Sequence, residues 1–285
     1  MPRNVTIVVA SPAAGGVTLR LNRTVRIGQA DGCLRLLGEG ARSTGAGAVA
    51  GDHIRADIAV PASLVRPVTD PSTLRRIQPG ARGRVYAIPY RELGLKHVDS
   101  WPDSYTVGEA TTRTFNIFYR GDRLDFARWP KIEQNLSTTF PGIGCETHQG
   151  CVGAVPMAAA LSGTSKAWLK GDHKTIPRFR VYESNGAWDL ERWSTGVDHG
   201  LYLEGNWRVD FVVSGARVAA IHTASNEVDL AAPVTGGLGW KYTKNVSGCG
   251  CEPFYVRNAL EAVTEPLEYA LDWKDEMIYI YLPAA

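Results

Sequence analysis

From Phe179 to Leu230 the chain is a succession of short β-type runs, each closed by a turn signal. Phe179-Arg180-Val181-Tyr182, Leu201-Tyr202-Leu203, Trp207 to Val213, Arg217 to His222 and Glu227 to Leu230 follow one another, the last two joined by Ser225-Asn226. Runs this short cannot bury a helical stripe. Strands that recur with turn signals every 8–12 residues or so are the pattern of an antiparallel sandwich. The 30 glycines and 16 prolines of the 285 residues supply the turn chemistry that such a chain needs.

The first 58 residues carry the same logic in weaker form. Val17, Leu19 and Leu21 alternate onto one face, Leu34-Arg35-Leu36-Leu37 is an apolar run, and Ala46 to Ala50 is a small-residue stretch ending at Gly51. Strand–turn units at near-regular spacing suit the coils of a parallel β-helix, in which each unit buries its faces only by stacking on its neighbours. A sandwich edge fits the same periodicity.

Helix signals are few. Thr69-Asp70-Pro71 starts a short helix that Gly80 ends, and Pro89 to Gly94 reads as a helical turn closed by glycine. Between them Val85 to Ile88 is a strand. Tyr255, Ala259, Leu260 and Val263 fall on one helical face before Pro266, which predicts a helix over 254–263. Residues 96–112 and 131–165 are polar or rich in Gly, Ser, Thr and Cys, and read as loops. Phe115 to Ala127 reads as a hairpin about Arg120-Gly121-Asp122-Arg123, and Tyr269 to Tyr281 as another about Lys274-Asp275-Glu276.

Charge and hydropathy exclude some partners. A net charge of +2 without a basic cluster gives no footprint for nucleic acid. No apolar run approaches the roughly 20 residues of a membrane span, and Val5 to Ala10 is too short for a signal-peptide core. Four of the nine asparagines, Asn4, Asn22, Asn135 and Asn245, stand in N-x-Ser/Thr sequons, which points toward an extracellular or secretory setting although no signal peptide is encoded. Five cysteines leave pairing open: a Cys145–Cys151 bridge closing a short loop, or reduced thiols throughout. His148 between them, with Cys249 and Cys251, fits no standard zinc spacing. No metal or cofactor is expected.

Several segments stand in a telling order. Val65-Arg66-Pro67-Val68-Thr69-Asp70-Pro71, Ala81-Arg82-Gly83-Arg84-Val85 and Leu93-Gly94 come first, then Phe126-Ala127-Arg128-Trp129-Pro130 and His199-Gly200-Leu201-Tyr202. Phe254-Tyr255-Val256-Arg257-Asn258-Ala259-Leu260-Glu261 and Pro266-Leu267-Glu268-Tyr269-Ala270-Leu271-Asp272 complete the series. Across about residues 60–283 the chain resembles right-handed parallel β-helix glycoside hydrolases and related proteins with an inserted β-sandwich, the β-xylosidase, α-fucosidase and xylanase type. The resemblance covers only their N-terminal part.

It implies an all-β fold: incomplete right-handed parallel β-helix coils (1–58), an inserted antiparallel β-sandwich with connecting segments (59–266), and a strand pair re-entering the helix (267–285). It also implies a polysaccharide or oligosaccharide partner of plant or algal type. In the resembling enzymes the catalytic carboxylates come from later coils. The expectation is therefore a carbohydrate-associated domain without those coils, completed by a further β-helix segment or a second chain. The alternative is a non-enzymatic interaction or structural sandwich that binds a protein.

Glycoside hydrolysis uses two carboxylates flanking the scissile bond. No such pair stands out, and the arrangements to test are Asp198 beside His199 and Glu204 near Asp210, which read equally as turn acids. For substrate binding, Arg128, Trp129, His199 and Trp207 are the candidates: an indole offers a flat face for a sugar ring and a guanidinium offers donors to hydroxyls. Trp129 has a second reading, as a plug at the seam between sandwich and helix.

Overall fold

The run Met277 to Leu282 is near-continuously apolar because its strand is buried on both faces. In the computed structural model, residues 5–9, 18–20, 34–38, 53–55, 58–95, 102–106, 116–133, 155–181, 189–208, 212–239 and 253–283 are described. The chain is mostly β with a few short helices. It divides into two compact units, Met1–Val60 and Pro61–Ala285.

In the first unit the strands pair in parallel. β1 (Val5–Val9) lies beside β3 (Leu34–Gly38), and β2 (Thr18–Arg20) beside β4 (His53–Arg55). Each pair is two-stranded.

The second unit holds a five-stranded sheet and a larger sheet system. The five-stranded sheet comprises β5 (Arg66–Pro67), β6 (Val85–Pro89), β10 (Asp125–Phe126), β18 (Glu268–Asp272) and β19 (Met277–Tyr281), ordered β10-β18-β19-β6-β5. Its side chains alternate with period two. Val85, Ala270, Tyr279 and Tyr281 face the main core, whereas Ile88, Tyr269, Leu271, Ile278 and Ile280 form a second apolar cluster with Tyr90 and Leu124. Two buried faces explain why polar residues are rare in β19.

The larger system contains β7 (Ser104–Thr106), β11 (Arg128–Trp129), β12 (Val155–Ser162), β13 (Arg178–Val181), β14 (Tyr202–Gly205), β15 (Ser214–His222), β16 (Glu227–Leu230) and β17 (Pro253–Arg257). The two longest strands each serve two sheets. β12 pairs with β17 through Val155 and Pro156 and with β13 from Met157 onward. β15 pairs with β14 through Arg217 and with β16 from Val218 onward. Register shifts lie where they turn, at Met157/Ala159 and Val218/Ala220, as at the corners of packed sheets. Between the layers Phe179, Trp207 and Phe254 pack as an aromatic cluster with centroids 5.2–5.7 Å apart. Burial of three such rings contributes several kcal/mol, at about 25 cal/mol per Å² of apolar surface.

Local chemistry sets the connections. Asp70 caps the helix α1 (Pro71–Arg76) by accepting from the Thr73 amide at 2.8 Å, with Pro71 in the first turn. Gly94 ends the Tyr90–Leu93 turn at φ +74°. β8 (Phe118–Tyr119) and β9 (Asp122–Arg123) form the expected hairpin, whose two turn residues Arg120 and Gly121 both have positive φ, as a primed turn requires. The β18–β19 hairpin is also where the sequence places it.

Four expectations fail here, one being the loop over 96–112, which contains β7. Residues 254–263 are not a helix: Pro253–Arg257 is a strand and only Leu260–Ala262 makes a 3-10 turn. The apolar spacing that suggested a helix combines strand residues with turn residues. Their β-branched and aromatic side chains satisfy a pleat equally well. The stretch read as loop over 131–165 contains β12, whose alanines and Ser162 gave little apolar signal. Trp207 and Arg208 are likewise outside any strand.

Candidate functional site

One polar row crosses the sheet made by β7, β15, β14 and β17. The register sets Tyr105 opposite Gly215, Gly215 opposite Glu204, and Glu204 opposite Tyr255, and cross-strand partners share a face. Gly215 makes the row possible. A Cβ there would sit 2.4 Å from the Tyr105 ring, so glycine lets the ring lie across β15 and bring its hydroxyl to Glu204. The Tyr105 hydroxyl donates to Glu204 Oε2 at 2.8 Å, and the Tyr255 hydroxyl donates to Oε1. Glu204 is 7% exposed. Burial, then the adjacent Glu204 charge, pushes both tyrosines well above the usual phenol range.

The next row on the same face is cationic. Arg128 stands opposite Arg257, which stands opposite Tyr202, which stands opposite Arg217. Arg128 stacks on the Tyr255 ring at 3.8 Å and donates through Nε to the Pro130 carbonyl at 3.0 Å. Arg257 Nε lies 3.6 Å from Glu204 Oε2, beyond hydrogen-bond reach, and its guanidinium is 5.3 Å from the Phe126 ring centroid. Burial lowers the Arg128 pKa, and so does Arg257, while Tyr255 and Glu204 act the other way. Arg217 is paired with Asp103 at 2.8 Å.

A second polar centre lies where α1, the Val197–His199 turn, the Leu260–Ala262 turn and the β18–β19 hairpin meet. Arg76 Nε reaches Glu261 Oε1 and its Nη1 reaches Asp272 Oδ2, both at 2.7 Å. Thr195 Oγ1 donates to Glu261 at 2.9 Å, and His199 Nδ1 lies 2.8 Å from both Asp272 oxygens. Asn258, at φ +56°, braces this region from within: its Nδ2 donates to the Gly200 carbonyl and its Oδ1 accepts from the Leu271 amide. Burial alone would raise the Asp272 carboxyl, but His199, the Asp275 amide and Arg76 hold it below the usual carboxylate range. His199, Asp272 and Asp275 bring one potential metal-ligating atom each to within 4.8 Å of one another. Asp272 is already ion-paired with Arg76 at 2.7 Å, so the set reads as an ion-paired brace.

The expected site residues therefore fall into different surroundings. Glu204 and Arg128 come together, joined through Tyr255. His199 belongs to the second centre. Asp198 is 77% exposed with Lys274 at 3.7 Å, and it shares no partner with Glu204. Trp129 is half-buried against Trp193, ring centroids 5.4 Å apart. Trp207 is 1% exposed in the core and donates through Nε1 to the Ser214 carbonyl at 2.8 Å. Asp210, Cys145, Cys151 and His148 lie outside the described residues.

Sequence reasoning missed Tyr105, Tyr255, Arg257, Arg76, Glu261 and Asp272 as site residues. A signal existed for two: Tyr255 and Arg257 alternate with Phe254 and Val256, the two-residue period of a half-buried strand. Reading that segment as a helix dispersed them. Arg76 and its partners are 185 and 196 residues apart, a pairing no local pattern carries.

No protein-family model matches the chain, and no curated protein matches it in sequence. A solved structure described as "Glycoside hydrolase" superposes with a TM-score of 0.49 at 10% identity, over 99% of this chain and 36% of its own length. The chain thus spans little more than a third of that structure. Agreement at this level lets neither chain speak for the other's chemistry.

Proposed function

We propose that this chain is the carbohydrate-associated part of a β-helix glycoside hydrolase-like protein that handles plant or algal polysaccharide, and that it holds glycan rather than cleaving it. In this reading the parallel pairs β1–β3 and β2–β4 belong to β-helix coils, residues 59–266 are the insertion with its connecting segments, and β18 and β19 are the strand pair that re-enters the helix.

The observation that carries the proposal is the convergence of three segments on which the sequence resemblance rests. β10, within Asp125-Phe126, pairs with β18 of the Pro266–Asp272 segment, and β11, Arg128-Trp129, pairs with β17 of the Phe254–Glu261 segment. The Asn258 amide donates to the Ala127 carbonyl, and Lys131 bonds both the Ala262 carbonyl and Glu268. Segments far apart in sequence meet at Ala127 to Lys131, which is where the seam reading places Trp129.

Holding rather than cleaving is supported by how the acids are used. Among the described residues the buried carboxylates are Glu204, Glu261, Glu268 and Asp272. Tyrosines take the first, Arg76 bonds the second and fourth, and Lys131 with the Thr264 and Glu265 amides takes Glu268. A glycosidase acid pair must instead face a substrate across roughly 5–10 Å.

The test is incubation of the purified 285-residue chain with xylan, fucan and pectin fragments, alongside a glycan array. Retention without turnover is expected. Turnover lost on Asp198→Ala or Glu204→Ala would replace binding with catalysis. Capture of a protein partner with no glycan retained would move the chain to the interaction class.

A further inference from the structure

The connection between β12 and β13 exposes apolar side chains and lysines together. Thr164 caps the helix α2 (Ser165–Leu169) by accepting from the Ala167 amide at 3.2 Å, and Asp172 holds the turn that follows by accepting from the Thr175 amide and hydroxyl. The Asp172 amide returns to the Ala167 carbonyl at 3.1 Å, and the Ser162 hydroxyl donates to the Ile176 carbonyl at 2.8 Å, so the connection is tied down at both ends. His173 stacks on Trp168, ring centroids 4.3 Å apart. Ordered as it is, this segment leaves Leu161 42%, Leu169 68% and Ile176 47% exposed, with Trp168 half-buried beside them. The side chains of Lys166, Lys170 and Lys174 are exposed and have no ion pair or hydrogen bond among the described residues. Asp172 is the one acid here and is spent on its own turn, so residues 161–177 carry a net charge of +2, as much as the entire chain.

We infer that this connection docks on the surface of an anionic lipid bilayer. Single exposed aliphatic side chains need no explanation, but several gathered in one short segment with unpaired cations mark an interaction surface. The combination selects the occupant. A bilayer interface offers acyl chains to Leu161, Leu169 and Ile176 and headgroup phosphates to the lysines, whose long stems lie along apolar surface while the charge stays wet. Trp168 suits the same boundary, since its ring is apolar and its N–H has no protein partner among the described residues. A purely apolar partner would leave three lysines unmatched, and an acidic polymer would leave the aliphatic side chains in water. Docking of this kind stays at headgroup depth and needs no spanning helix; none of the described helices is long and apolar enough to cross a membrane. Because the segment is already ordered by its own hydrogen bonds, little backbone entropy remains to be lost on binding. The inference is independent of the carbohydrate reading, and neither requires the other.

The experiment is co-sedimentation of the full chain with vesicles of phosphatidylcholine, alone or mixed with phosphatidylglycerol, with circular dichroism to verify folding of each variant. Binding to the mixed vesicles and not to phosphatidylcholine alone is expected, and it should weaken as salt is added. Leu169→Ser and Ile176→Ser should each weaken it about tenfold, the effect of withholding one large aliphatic side chain from the acyl region. Lys170→Gln should weaken it about fivefold. Phe118→Ser, which removes a comparably exposed apolar side chain from the β8–β9 hairpin, should leave binding unchanged. Leu169 and Ile176 lie at the surface and carry no packing that the fold needs, and should either variant still fail to fold, the other and Lys170→Gln decide the matter. Equal binding of parent and folded Leu169→Ser would overturn the inference as general charge attraction. Equal binding to both kinds of vesicle would overturn the anionic preference on which it rests. No binding to either would overturn it outright, and a dimer in sedimentation velocity that Leu169→Ser dissolves would then assign the surface to a second copy of the chain. Glycan retention is read separately on the array, so failure here leaves the carbohydrate reading standing.

Discussion

The two buried carboxylate centres solve one problem by opposite means. At Glu204 the negative charge is met by two neutral hydroxyls, with arginines standing by at a distance. At Glu261 and Asp272 it is met by one guanidinium that reaches both acids at 2.7 Å. The first acid is held by neutral donors on a sheet face; in the second, the acids outnumber the arginine that clamps them. The clamp ties a helix, two turns and a hairpin together. A buried charge alone therefore does not mark a site. What distinguishes the two is the kind of partner that meets the charge, neutral hydroxyls in one and a guanidinium in the other.

The sharpest way to break this contrast is Arg76→Met. Glu261 is 0% and Asp272 2% exposed, so both would lose a partner in the interior. Removing one member of a buried ion pair costs roughly 3–5 kcal/mol. Urea unfolding of the variant should show a loss in that range. A loss below about 1 kcal/mol would mean that water takes over, or Arg192, whose charge the Glu261 carboxylate already favours, and the clamp would be no clamp.

Tyr255→Phe should cost less. It removes a neutral donor from a buried carboxylate but leaves Tyr105 on the other oxygen, and hydrogen bonds to charged groups are worth about 1.5–3 kcal/mol. The ring that carries Arg128 is kept, so the same denaturation experiment reads the hydroxyl alone. If Tyr255→Phe proved as damaging as Arg76→Met, the supposed difference between hydroxyl-held and ion-held centres would collapse.

What the sequence made legible, and what it hid, follows the same division. Features decided within a few residues were readable: the Asp70-Pro71 helix start, the Arg120-Gly121 reversal, the Asn226 turn at φ +53° and the final hairpin. Glu204, His199 and Arg128 were picked out as chemistry, yet their partners were not. Tyr105 reaches Glu204 across 99 residues, and it does so only because Gly215 has no side chain. Nothing local announces that glycine's role. Trp207 was read as a sugar platform since composition cannot tell a core indole from an exposed one; its neighbours Phe179 and Phe254 decide it, from other strands.

The smallest effect tests how the clamp's own helix is held. Asp70 caps α1, which ends at Arg76, by accepting from the Thr73 amide and hydroxyl and from Ser72. The Ser72 hydroxyl first, then the Thr73 amide, lower its carboxyl to about 2, from the ordinary 3.8. A depressed carboxyl contributes stability that is fully present above pH 3.8 and is lost as pH falls toward 2. Asp70→Ser keeps a capping oxygen but cannot titrate. Thermal midpoints of parent and variant, followed from pH 5 to pH 2, should therefore converge or cross on the acid side, because only the parent loses its cap. Asp272, also depressed, titrates in both proteins and so cancels from the difference. Parallel curves would mean that protonating Asp70 leaves α1 as it was, and that Arg76 is placed by its buried partners alone, without help from the helix that carries it.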